Sequence, residues 1–138
     1  MDIRQITPRY SVSPQINPSD LPAIKAAGFS KVICNRPDAE NPPSHQAAAM
    51  AEAAAAAGIA FEVLPLTHQT MTPENVAKQF EMVDAAGEGP VLAYCASGTR
   101  CTVVWALSQA GKASADDILG TAAEAGYMLE QLRPHLEG

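Results

Sequence analysis

A recurring unit constrains this chain most: a capped helical stretch, a stopping glycine, and then at once a short apolar run. Ser19 or Asp20 caps a helix through Ala27, Gly28 stops it, and Phe29 to Cys34 follows as a strand rich in β-branched residues. Ser44 caps an alanine-rich helix, Gly58 stops it, and Ile59 to Leu64 is the next strand, ended by Pro65. Thr72 with Pro73 opens a third helix to about Ala86, because proline at the first helical position gives up no needed hydrogen bond. Gly87 and Gly89 then precede the apolar strand Pro90 to Tyr94. Strands alternating with helices predict an α/β fold, a single domain over 1–138 with a central, mostly parallel sheet flanked by helices.

The remaining segments fit around that unit. Tyr10 to Ser13 alternates and reads as a short edge strand, with Pro14 ending it. Arg100 to Ala110 is helical in pattern, with Gly111 as its stop. Ser114 and Asp117 have capping-box spacing for another helix, and a last one is expected from Met128 to His135.

The overall chemistry narrows the function. The chain has 138 residues, 47% of them hydrophobic, which suffices for one sizeable core and excludes a disordered reading. Nine basic against fifteen acidic residues give a net charge of −6, which repels nucleic-acid backbones and anionic membrane surfaces. A local positive site for a small anion stays open. No apolar run approaches the ~20 residues of a membrane span, and Met1 to Gln5 lacks the basic-then-apolar pattern of a secretory signal. The three cysteines, an odd number without secreted-domain spacing, fit a reducing compartment, so a cytoplasmic location is expected. Cys34, Cys95 and Cys101 with three histidines make no zinc pattern, and no metal or organic cofactor is expected.

The run Cys95-Ala96-Ser97-Gly98-Thr99-Arg100 carries the chemistry. A strand, a tight loop of small residues and a helix start leave several backbone N–H groups facing one concavity, where the helix dipole adds partial positive charge. Gly98 permits a positive φ, and Arg100 offers a planar fork that can grip two oxygens of a tetrahedral anion. A cysteine at the mouth of such a nest has its thiolate stabilised, which suits covalent catalysis. The strand end that delivers Cys95 is also where ligands gather in open α/β sheets. Cys34, inside an apolar strand, reads instead as a small buried hydrophobe.

Read in order, Pro90-Val-Leu-Ala-Tyr-Cys-Ala-Ser-Gly-Thr-Arg100 resembles the cysteine-dependent phosphatases of dual-specificity type. More closely, it resembles the bacterial family called beta-lactamase hydrolase-like protein, phosphatase-like domain. Ser11 to Gln15, Val32 to Asp38, Val63 to Leu66 and Trp105 to Leu107 extend that resemblance over almost the whole chain. It implies a parallel sheet flanked by helices and hydrolysis of phosphate esters, small or on a phosphoprotein, through a cysteinyl-phosphate on Cys95.

The sequence also departs from the phosphatase pattern. Tyrosine and dual-specificity phosphatases place five residues between cysteine and arginine; here four intervene. The position after the arginine, where a hydroxyl residue is usual, is Cys101, with Thr102 one later. The loop Thr67-His-Gln-Thr-Met-Thr72 lacks the aspartate that protonates the leaving group, leaving Asp38, Glu40 and His68 as substitutes by position. Arg36 is a candidate second anion contact, or a brace for its proline-rich loop. A four-residue gap is also the pattern of rhodanese sulfurtransferases, in which the cysteine carries a persulfide and the substrate is a sulfur oxyanion. A third alternative is a non-catalytic module that binds an oxyanion.

Overall fold

The computed structural model describes residues 1–87 and 89–137. Its strands are β1 (Arg4–Thr7), β2 (Tyr10–Ser13), β3 (Lys31–Cys34), β4 (Ala60–Val63) and β5 (Val91–Tyr94). They form one sheet in the order β1-β2-β5-β3-β4. β1 and β2 make an antiparallel hairpin, and every other pairing is parallel, as the alternation of strands and helices predicts. All residues of β2, β3 and β5 are buried. Burial on both sides is what a sheet covered on both faces imposes, and β5, Val-Leu-Ala-Tyr, is correspondingly an unbroken apolar run.

The helices are α1 (Leu21–Ala26), α2 (Ala47–Ala57), α3 (Pro73–Ala85), α4 (Thr99–Ser108), α5 (Ala115–Glu124) and α6 (Arg133–Glu137). The period of two along each strand sorts the core into two layers. On one face Leu92, Tyr94, Val32 and Cys34 pack with Leu21 and Ile24 of α1 and Met50 and Ala54 of α2. On the other, Val91, Ala93, Ile33 and Val12 pack with Val103 and Ala106 of α4, Ile118 of α5 and Leu136 of α6. A fully buried side chain such as Leu92 contributes about 2–3 kcal/mol over its exposed state. No helix among the described residues is long and apolar enough to cross a membrane.

Local signals place several boundaries. Gly28 and Gly58 adopt φ of 102° and 75° directly after α1 and α2, a conformation strained for residues with a Cβ. Thr72 accepts a hydrogen bond from Asn75 N at 3.2 Å, and Ser114 from Asp117 N at 3.1 Å, so both act as helix caps.

Three expectations are corrected. Tyr10 to Ser13 is not an edge strand, because β1, which four short residues with one buried side chain did not signal, covers its outer side. Ser44 is not the cap of α2: its hydroxyl meets His45 Nδ1 at 2.8 Å, within a 3-10 turn over Pro43–His45. The first amide of α2 goes to Asp38 instead, whose Oδ1 accepts from Ala47 N at 2.8 Å. Met128 to His135 is not one helix; a 3-10 turn at Glu130–Leu132 precedes α6, which places Pro134 in the first turn, where it needs no N–H partner.

Candidate active site

β5 lies between β2 and β3, and its last residue, Tyr94, stands level with Ser13 and Cys34. The chain leaves the sheet here and turns at once into α4, so a helix N-terminus faces the carboxyl ends of three parallel strands. Cys95 remains tied to β2, donating from its N–H to Ser13 O at 3.3 Å. Gly98 sits at φ 88°, and a Cβ there would collide with the Tyr127 hydroxyl, so both conformation and space require glycine. Tyr127 closes the loop by donating to Ser97 O at 3.0 Å. Thr102 ties the helix to the loop, its hydroxyl donating to Gly98 O at 2.8 Å. Ser97 and Thr99 share a hydroxyl contact at 2.9 Å.

The sulfur of Cys95 is the focus of this loop. Gly98 N donates to it at 3.1 Å, and the residue is 1% exposed. Its pKa is pulled down to about 5: the Cys101 thiol contributes most, and the N–H groups of Cys101, Ser97 and Gly98 outweigh burial with it. Cys101, fully buried, shifts well upward because burial and the neighbouring Cys95 both penalise its thiolate. The surroundings therefore favour the charge on Cys95 and the proton on Cys101. Cys34 is buried with its pKa raised, chiefly by burial, as a hydrophobic cysteine on a core strand should be.

Arg100 is anchored from behind. Its Nη1 donates to Glu40 Oε2 at 2.9 Å and to Leu66 O at 2.8 Å, and its Nη2 to Glu40 Oε1 at 2.7 Å. Glu40 raises the pKa of Arg100 most, and the Cys95 thiolate adds to that shift. The Glu40 carboxyl is correspondingly held below the usual carboxylate range, first by its hydrogen bonds to Arg100. Arg36 completes the cluster with Nε on Glu40 Oε1 at 3.3 Å and Nη1 on Gln15 Oε1 at 3.1 Å.

The residues singled out by sequence thus fall into different places. Arg36 binds Glu40 and Gln15, and Asp38 caps α2. Glu40 and His68 join Thr67, Gln69, Ser97 and Thr99 around an open cleft of about 460 Å³ beside Arg100. Sequence reasoning did not single out Tyr127, Tyr10, Asn35 or Gln79. Tyr127 carries no local signal, since it reaches the loop across the fold. Gln79 carries one: it is a polar residue on the stripe Val76, Phe80 and Val83 of α3, and it is 2% exposed.

A Neisseria meningitidis Z2491 structure described as a candidate phosphatase is 32% identical, with a TM-score of 0.85, covering 99% of this chain and 97% of that one. P. aeruginosa TpbA, solved in complex with pTyr, shares the fold at 16% identity and a TM-score of 0.63, covering 99% and 91% of the two chains. The Beta-lactamase hydrolase-like protein of Agrobacterium fabrum (strain C58) is 33% identical over 116 residues, 83% of this chain. The chain spans about a quarter (27%) of that relative's length. The family model for the beta-lactamase hydrolase-like protein, phosphatase-like domain, matches residues 2–112, and to that family this chain belongs.

Proposed function

We propose that the chain is a cysteine-dependent hydrolase of phosphate esters, with Cys95 as nucleophile and Arg100 with the loop amides as oxyanion seat. The observation that carries this reading is the low-pKa Cys95 sulfur, held by loop N–H groups at the start of α4, with the Arg100 guanidinium alongside. The thiolate attacks phosphorus in line while Arg100 and the N–H groups of the loop hold the equatorial oxygens. The ester oxygen departs with the bonding pair, and water then cleaves the cysteinyl-phosphate to release phosphate. The pTyr complex of TpbA supports a phosphate-containing ligand in this fold.

Glu40 is ion-paired and held ionised, and Asp38 caps α2, which leaves His68 on the cleft rim as the candidate proton donor. Activity should therefore favour esters whose leaving group hardly needs a proton.

The same observations favour a second reading, sulfur transfer through a Cys95 persulfide. It needs a stabilised thiolate and an oxyanion seat but no acid, and the four-residue gap matches its pattern. The protein should be given p-nitrophenyl phosphate, and separately thiosulfate plus cyanide, beside a Cys95→Ser control. Slow, vanadate-sensitive phosphate release that Cys95→Ser abolishes is the expected result. Cys95-dependent thiocyanate without phosphate release would replace hydrolysis by sulfur transfer. Silence in both assays would leave an oxyanion-binding module.

A further inference from the structure

Three polar side chains are buried behind the loop. Asn35 is 0%, Gln79 2% and Tyr10 3% exposed. Burying two carboxamides and a phenol is costly unless every donor finds an acceptor. Here every one does. Gln79 Nε2 donates to Asn35 Oδ1 at 2.9 Å and to Tyr10 Oη at 3.3 Å. Asn35 Nδ2 donates back to Gln79 Oε1 at 2.9 Å and to Leu64 O at 2.9 Å. Tyr10 Oη donates to Cys101 O at 2.7 Å.

The two ends of this network are the two supports of the site. Cys101, held at its carbonyl by Tyr10, supplies the thiol and one of the N–H groups that stabilise the Cys95 thiolate. Asn35 holds the segment after β4 twice, through its side chain on Leu64 O and its carbonyl on Leu66 N at 2.9 Å. Leu66 O in turn accepts from Arg100 Nη1. Among the described residues, Gln79 on α3 joins both arms by hydrogen bonds to Tyr10 and Asn35.

We propose that the Gln79 carboxamide is a positioning residue for the oxyanion loop: through Tyr10 it fixes Cys101 beneath Cys95, and through Asn35 it fixes the carbonyl on which Arg100 rests. A network satisfied in full specifies one arrangement of the groups it binds, whereas a broken one leaves buried donors seeking other partners. The role concerns how the thiolate is held, and it is independent of whether phosphorus or sulfur is transferred there.

The test must separate positioning from plain stability, so the readout is the pH midpoint of Cys95 alkylation by iodoacetamide, measured beside Tm. The groups that act on Cys95 are Arg100 and Cys101 of α4, Tyr127 beyond α5, Tyr10 of β2 and Cys34 of β3. Burial keeps the Tyr10 phenol protonated far into alkali, so its removal changes no charge in the range examined. The variants are Gln79→Met, Tyr10→Phe and their double, with Met50→Ala as a control for stability on the opposite face of the sheet. The parent midpoint should lie near 5. Gln79→Met should raise it by about one unit, Tyr10→Phe by roughly half of that, and the double no further than Gln79→Met, since both act through one network. Met50→Ala should lower Tm and leave the midpoint alone. A midpoint unchanged in Gln79→Met while Tm falls as in Met50→Ala would overturn the proposal, and so would additive shifts in the double. If Gln79→Met does not fold, Tyr10→Phe decides alone: a raised midpoint supports the role and an unchanged one ends it.

Discussion

The division of labour between Cys95 and Cys101 gives a quantitative expectation for the substitution Cys101→Ala. The Cys95 pKa moves from 9.0 to about 5, a net fall of about 4 units. The Cys101 thiol leads, followed by the N–H groups of Cys101, Ser97 and Gly98, with the Arg100 guanidinium alongside. Burial works against them, so together they supply more than the net fall. The thiol is the largest of these contributions, and its removal should cost about one unit. Removing it should carry the midpoint from about 5 to about 6 or above. At pH 5 the thiolate fraction then drops from about one half to about one tenth, and iodoacetamide labelling slows roughly fivefold, while at pH 8 the rate hardly changes. Cys101→Ser keeps an O–H donor and should stay near the parent. The stability follows the same sign. Because the folded pKa lies below the unfolded one, the thiolate stabilises the fold in full above pH 9.0 and not at all below about 5. Cys101→Ala should therefore lose on the order of 1 kcal/mol on the alkaline side, on top of a pH-independent packing loss. Labelling kinetics across pH 4–9 with urea melts at both ends measure both quantities. A Cys101→Ala midpoint equal to the parent's, or a Cys101→Ser midpoint shifted as far as Cys101→Ala, would refute the assignment of the thiol as donor.

Two further outcomes test the oxyanion seat. Arg100→Lys keeps a charge but loses the fork shared with Glu40 and Leu66 O, so the vanadate concentration that protects Cys95 from alkylation should rise on the order of 10–100-fold, with Tm nearly unchanged; equal protection would remove Arg100 from anion binding. Gly98→Ala places a Cβ at φ 88° against the Tyr127 hydroxyl and should destabilise by about 1–3 kcal/mol while slowing Cys95 labelling at pH 6; a variant as stable and reactive as the parent would show that the loop tolerates another backbone path.

What the sequence determined by itself is what short-range chemistry decides. A glycine after a helical run, Thr72 before Pro73, Ser114 before Asp117 and the β-branched stretch around Val32 each act within a few residues, so their effect can be read in order along the chain. The Cys95 to Arg100 loop was legible for the same reason: the strand, the turn of small residues and the helix start that frame it follow one another in order along the chain. The tertiary structure decided everything that depends on two distant segments meeting. Only pairing with β1 makes Tyr10 to Ser13 an internal strand, and only the approach of Asp38 to Ala47 replaces Ser44 as the cap of α2. Glu40 reaches Arg100 across 60 positions, Tyr127 reaches Ser97 across 30, and Gln79 reaches Tyr10 across 69. The partners in such contacts leave no trace in the sequence, because a polar side chain meets its partner by the geometry of the assembled sheet and helices and not by its neighbours in sequence.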